Sequence, residues 1–309
     1  MANRPFPVNP VMVAIAIAYR NASLIADEVL PRLAPMAKEE FKYFAYDMAE
    51  GFTIPDTKVG RRSRVNEISF TGVEITASTE DFGLEDPIPQ TDIDNAEAGF
   101  DPKNHSVEQL TNLILLDREV RVSTLLSSTS NYDAANTETL AAGSQFSDAA
   151  ADVLGIMEDA FNAPVMRPNV AVFGQASWSA FRRHPQVVKA VHGNSGDAGM
   201  ASREQVAELL EVSKVLVGQA RVNTARKGQA ASLQRAWGDM VSLIYQDAMA
   251  TNRNGTTYGF TAQYKTRLAG SERDGNIGLR GGERVRVGES VKEVISAKSL
   301  GYLIQNTVA

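Results

Sequence analysis

The segment Pro168–Asn223 constrains the fold more than any other part of the chain. Val170-Ala171-Val172-Phe173 is an unbroken apolar run closed by Gly174, the pattern of a strand buried on both faces. Gln175–Arg183 carries Trp178 and Phe181 and reads as a helix. His184-Pro185 ends it, because the residue before a proline is pushed out of the helical region. After a glycine-rich loop, Ser202 with Gln205 three residues later forms a capping box, so a second helix starts near Arg203. Val206, Leu209 and Leu210 give that helix one apolar face. Val215-Leu216-Val217 then returns to a sheet. A helical crossover between two apolar strands predicts an α/β layer, and nothing in it carries chemistry.

Other segments are legible in the same way. Val11–Ala18 is apolar but far too short to span a bilayer. It follows Asn9-Pro10 and no cleavage box succeeds it, so it reads as an arm or short helix that needs a partner surface. Phe41, Tyr43, Phe44 and Tyr46 alternate imperfectly, as a strand or an aromatic anchor. In Asp101–Ser128, Val107, Leu110, Leu113, Ile114, Leu116, Val120 and Leu125 predict a long helix, with Asp117, Arg118, Glu119 and Arg121 on its solvated side. Asp148–Phe161 predicts another helix and Val241–Tyr245 another strand. Asn131–Ser147 reads as loop and Asn252-Arg253-Asn254-Gly255 as a turn.

Asp56–Glu85 differs in character. Lys58, Arg61, Arg62 and Arg64 cluster, and Ile68, Phe70, Val73 and Ile75 then stand among polar residues, with Thr71-Gly72 as a turn. The pattern predicts a two-stranded ribbon with little core of its own. Such a hairpin is marginal in water, so its order must come from a surface it lies against. We read the basic cluster as a salt-bridging contact to a neighbouring acidic surface; a solvated strand edge blunted against strand addition is the alternative.

Several chemistries are excluded. The absence of cysteine removes disulfides and thiolate catalysis. A net charge of −6 argues against a dedicated nucleic-acid binder. No phosphate-binding loop occurs. Gly193-Asn194-Ser195-Gly196 begins like a nucleophile elbow, but Asp197 stands where glycine belongs. Asp92-Ile93-Asp94-Asn95 begins like a calcium loop, but Ala96 and Glu97 break it. His184 and His192 lack a third metal ligand; His184 is expected at a helix end, where a cation is favoured. Asp27 with Glu28, and Glu158 with Asp159, read as exposed carboxylates. No catalytic, cofactor or metal site is assigned.

By order of elements, nearly the whole chain resembles the major capsid proteins of tailed bacteriophages. The carrying segments are Ile25-Ala26-Asp27-Glu28-Val29-Leu30-Pro31, the ribbon, the long helix, Ser144-Gln145-Phe146-Ser147-Asp148, and Pro168-Asn169-Val170 through Val222-Asn223. The resemblance implies an α+β, HK97-like capsid fold with an N-terminal arm, an extended β-hairpin loop, a peripheral domain with a long spine helix, and an axial α/β domain. The boundaries it implies are 1–50 for the arm, 51–90 for the extended loop and 91–150 for the peripheral domain. The axial domain takes 151–265, and 266–309 are strands returning to the peripheral and axial domains.

It further implies a non-enzymatic shell subunit forming pentamers and hexamers around double-stranded DNA held without sequence preference. Lys58, Arg61, Arg62, Arg64, Glu67 and Phe70 would contact the neighbouring subunit. Implied partners are further copies of the chain, a portal protein and, optionally, a decoration protein, with no membrane; assembly in the host cytoplasm would end in the virion. Many relatives begin with a helical scaffolding segment, whereas here the arm starts within the first ten residues, so a separate scaffolding protein is expected. An encapsulin-like compartment is the alternative, and a soluble α/β enzyme the more distant one.

Overall fold

The computed structural model describes residues 6–19, 21–46, 52, 54–68, 72–193, 199–226, 228–251 and 255–309. In chain order the helices are α1 (Pro10–Ala18), α2 (Ala26–Val29), α3 (Gln90–Asp94), α4 (Pro102–Ser127), α5 (Val153–Asn162), α6 (Gln175–Phe181), α7 (Pro185–His192) and α8 (Arg203–Leu209). The strands are β1 (Glu40–Tyr46), β2 (Gly72–Ser78), β3 (Glu80–Pro89), β4 (Thr137–Thr139), β5 (Val170–Gly174), β6 (Lys214–Gly218), β7 (Arg221–Asn223), β8 (Leu233–Arg235), β9 (Met240–Ile244), β10 (Gly259–Asp274), β11 (Gly282–Ile295) and β12 (Gly301–Gln305).

The central segment folds as its pattern predicts. β5 and β6 pair in parallel, Val170 opposite Lys214, with α6, α7 and α8 in the crossover between them. They belong to a five-stranded sheet of order β4-β12-β9-β5-β6, in which β9 alone runs against its neighbours. Ser202 accepts from the Gln205 N–H and Gln205 accepts from the Ser202 N–H, completing the capping box at the start of α8. One face of the sheet packs Phe173 and Val241 against Trp178, Phe181 and Met157 of the helices. The other packs Val172, Leu216 and Ile244 against Val122 and Leu126 of α4 and against Trp237. The sheet is thus buried on both sides, which is why its strands are continuous apolar runs.

The 26-residue α4 is the longest helix among the described residues; at 1.5 Å per residue it spans about 39 Å. Asp101 caps it by accepting from Lys103 N–H, and Pro102 occupies its first position, where a missing N–H costs nothing. One end packs on the three-stranded antiparallel sheet β10-β11-β3 through Val107, Leu110, Ile114, Val285 and Val287. The helix α1 fills the same cluster with Met12 and Ala16, so the apolar Val11–Ala18 stretch finds its partner surface within the chain on one face. Val11 and Ile17 on the other face are exposed.

Two expectations change. The ribbon does not fold within Asp56–Glu85: β2 pairs antiparallel with β1, Phe41 opposite Ala77, and β3 pairs with β11. The aromatic strand Glu40–Tyr46 is therefore the ribbon's first strand. Its base is held by Phe41 packing on Phe260, Ala262 and Val294. The solvated side assigned to α4 is also different: Arg118 and Glu119 are fully buried, whereas Leu113 is exposed. The Asn252–Asn254 part of the expected turn, and Thr71 of the other, lie outside the described residues.

Gly218 ends β6 directly beneath the indole of Trp237, and a Cβ there would overlap the ring. Gly218→Ala is therefore expected to destabilise the chain by about 1–3 kcal/mol through overpacking, read as a lowered denaturant midpoint with an unchanged slope.

Candidate assembly surfaces

The amino-terminal arm is tied to the body by two consecutive charged residues of α4. The Glu119 carboxylate accepts from the N–H groups of Ile25 (3.0 Å) and Ala26 (2.8 Å) and from the Trp237 indole N–H (2.6 Å). It thereby satisfies backbone donors at the start of α2, which no side-chain cap serves. Burial pushes the Glu119 carboxyl up, and these three donors restrain the rise. Arg118 donates to Asp27, to the Leu30 carbonyl (3.1 Å) and to the Thr261 hydroxyl (2.9 Å). Asp27 also pairs with Arg32 (2.8 Å), which reaches Glu289 (3.0 Å), and Glu289 pairs with Arg267 (2.8 Å). Arg267 closes the lattice by donating to the Ala16 carbonyl of α1 (2.8 Å).

This lattice lines a cleft of about 690 Å³ between the arm, α4 and the bulged part of β10. Burial alone would raise the carboxyls of Asp27 and Glu289, but the surrounding guanidiniums outweigh it and lower both. Each charge in it is answered by an opposite charge or, for Glu119, by three N–H donors, so the arrangement fastens an element rather than activating a nucleophile. Among the described residues no group of three His, Asp or Glu side chains is placed to hold a metal. No helix there is long and apolar enough to cross a membrane.

The tip of the ribbon is the opposite kind of surface. Every residue from 54 to 68 is exposed. Ile54 is 92% and Val65 72% exposed, with Phe52 and Ile68 also open to solvent. The bonds that shape the tip are local, such as Lys58 N–H to Asp56 (2.9 Å) and Ser63 N–H to the Gly60 carbonyl (3.0 Å). Lys58, Arg61, Arg62, Arg64 and Glu67 all lie on this exposed stretch, and among the described residues none forms an ion pair. Phe70 lies outside the described residues. Isoleucines and valines beside unpaired cations, with no body beneath them, form a surface suited to covering something else.

Over its full length the chain is 52% identical to the major capsid protein of Pseudomonas phage JBD67, covering 100% of both. This chain belongs to the family of phage major capsid proteins. Its fold is the HK97-like capsid fold. A solved phage-related protein of Bordetella bronchiseptica RB50 superposes with a TM-score of 0.76 at 22% identity, covering 98% of each chain. The capsid of cyanophage P-SCSP1u superposes with a TM-score of 0.58 at 8% identity, covering 99% of this chain and 91% of that one. No protein-family model matches.

In this capsid protein the other sequence candidates find structural places. Asp92 and Asp94 lie in α3, where Asp94 accepts from Gln90. His184 does cap a helix, but at the N-terminus of α7, where its Nδ1 accepts from Gln186 N–H (3.3 Å). Asn194, Ser195, Gly196 and Asp197 lie outside the described residues. Glu158 is an exposed carboxylate paired with Arg167 (3.4 Å), whereas Asp27 belongs to the lattice. The lattice residues Arg118 and Glu119 escaped the sequence reading. They fall on the apolar stripe of α4, between Ile114-Leu115 and Val122-Ser123. A charged pair at stripe positions is the available signal.

The Asp27 carboxyl is held at about 2, against an ordinary 3.8. A folded pKa below the unfolded one stabilises above the unfolded value and is lost as pH falls through the folded one. Stability is therefore expected to decline between about pH 4 and pH 2, and Asp27→Asn to flatten that part of the profile in thermal melts. Arg118→Leu removes the bonds to Asp27, the Leu30 carbonyl and Thr261 from a buried site and is expected to cost about 1–3 kcal/mol in the same assay.

Proposed function

We propose that this chain is the subunit of an icosahedral shell, built as pentamers and hexamers of itself, that encloses double-stranded DNA. The role is structural, not catalytic. The end-to-end match at 52% identity to a phage major capsid protein carries the reading and favours a viral shell over an encapsulin-like compartment. The net charge of −6 agrees with it, since a wall attracting phosphates would hold DNA regardless of sequence and oppose its release.

Within this reading, 1–50 act as the arm, 51–90 as the extended loop, 91–150 as the peripheral domain, 151–265 as the axial domain and 266–309 as returning strands. The loop tip lies on a sister molecule. Lys58, Arg61, Arg62, Arg64 and Glu67 meet charges there, and Phe70 supplies apolar contact. A separate scaffolding protein, a portal and, optionally, a decoration protein complete the particle, which assembles in the host cytoplasm without a membrane.

The tip is exposed throughout in the single chain, so replacing its cations should spare the fold and weaken assembly. Arg61→Ser/Arg62→Ser/Arg64→Ser is expected to leave the melting temperature unchanged and to reduce shells in negative-stain electron microscopy about tenfold or more. Normal shells from this variant would count against a contact role for the cluster.

A further inference from the structure

Charge is segregated across the axial sheet. From Val212 to Gly238 the sequence holds Lys214, Arg221, Arg226, Lys227 and Arg235 and no carboxylate. From Val122 to Met166 it holds Asp133, Glu138, Asp148, Asp152, Glu158 and Asp159 and no lysine or arginine. The topology sends the first stretch to one edge, where β6 runs on into the β7–β8 hairpin. The second begins in α4 and continues through β4, the opposite edge, into α5. Five strands about 4.8 Å apart separate the edges by about 19 Å. The glutamates of α8 and of the loop after it precede β6 at its other end, and the nearest of them, Glu211 in that loop, faces Arg167.

The hairpin is built at odds with itself. Arg221 lies directly opposite Arg235 in the register, a like-charge pair that is unfavourable across strands. Arg221, Arg226 and Arg235 are exposed, and none forms an ion pair among the described residues. Leu233 is 58% exposed, so the hairpin has no core of its own. It is fastened at its root, where Ala236 N–H donates to Ala220 (2.9 Å) and the Ser123 hydroxyl donates to Ala236 (2.8 Å).

On the β4 side the Tyr302 hydroxyl donates to Glu138 (3.5 Å); burial first, then the charges of Glu138 and Asp159, push that hydroxyl up. Asp148, between β4 and α5, is exposed and among the described residues accepts only from the Ala150 backbone N–H. No lysine or arginine pairs with Glu138, Asp148 or Asp159 among the described residues.

We infer that the β7–β8 hairpin is a cationic prong that docks head to tail on the Glu138, Asp148 and Asp159 edge of a second copy of this chain. The inference rests on the shell reading and names one of its contacts. Two unlike, complementary patches on one subunit make a heterologous interface, the kind that closes into rings. Opposed charges set its register and reject like edges.

Two charge-reversed chains test this: Arg221→Glu/Arg235→Glu and Glu138→Lys/Asp159→Lys. Far-UV circular dichroism and melting, expected to match the unaltered chain, exclude misfolding. Each variant alone is expected to form at least about tenfold fewer rings in electron-microscopy class averages. All four substitutions in one chain should restore rings. A mixture of the two variants must alternate around the ring, so it should give hexamers and no pentamers.

Normal ring yields from both single variants would overturn the inference while leaving the shell reading intact. So would a prong variant that forms normal rings but loses retention of double-stranded DNA, which would make the hairpin a phosphate contact. Absence of rings from the unaltered chain would sink the shell reading itself.

Discussion

The arrangement of the chain depends on placing two adjacent charges in the middle of a buried helix face. Glu119 and Arg118 interrupt the apolar stripe of α4, and each would be costly there without partners. Their partners come from one place: the start and end of α2 in the arm, with Trp237 and Thr261 behind them. The arm is thus fixed to a single position along α4 by polar groups that find no substitute one turn away. Apolar contacts from Met12 and Ala16 add area but little register. Positional specificity is the role in which buried ionic groups are best attested.

Fixing the arm also organises the cleft beside it. Arg32 and Arg267 reach Glu289 from different elements, so the arm and the long β10–β11 pair are joined through one carboxylate. This centre contrasts with the ribbon, whose base is packed on Phe260 and Val294 and whose tip, residues 54–68, is exposed throughout.

Much of this was legible in the residues. Val170–Gly174, the Ser202/Gln205 capping box and Val215–Val217 gave the parallel crossover, because buried parallel strands and helix starts have local signatures. The ribbon's pairing was not legible. Gly72–Ser78 pairs with the more distant Glu40–Tyr46 across an intervening tip, and pairing partners are set by tertiary packing rather than by local pattern. The burial of Arg118 and Glu119 has no local signature, because charge ordinarily goes with exposure. His184 was assigned to the right kind of position and the wrong end of a helix, since a neutral imidazole accepts a hydrogen bond as readily as a charged one donates.

The strand order of the five-stranded sheet has a consequence for synthesis. β12 lies between β4 and β9, so Thr137 pairs with Leu303, far later in the chain, while β5, β6 and β9 are already able to join. Until the ribosome releases the stretch around Gly301–Gln305, the nascent sheet presents the bare edge of β9, a template for misplaced strand addition. Closure over such a sequence distance is slow. Insertion of β12 is what covers that edge, since among the described strands it pairs with both β4 and β9.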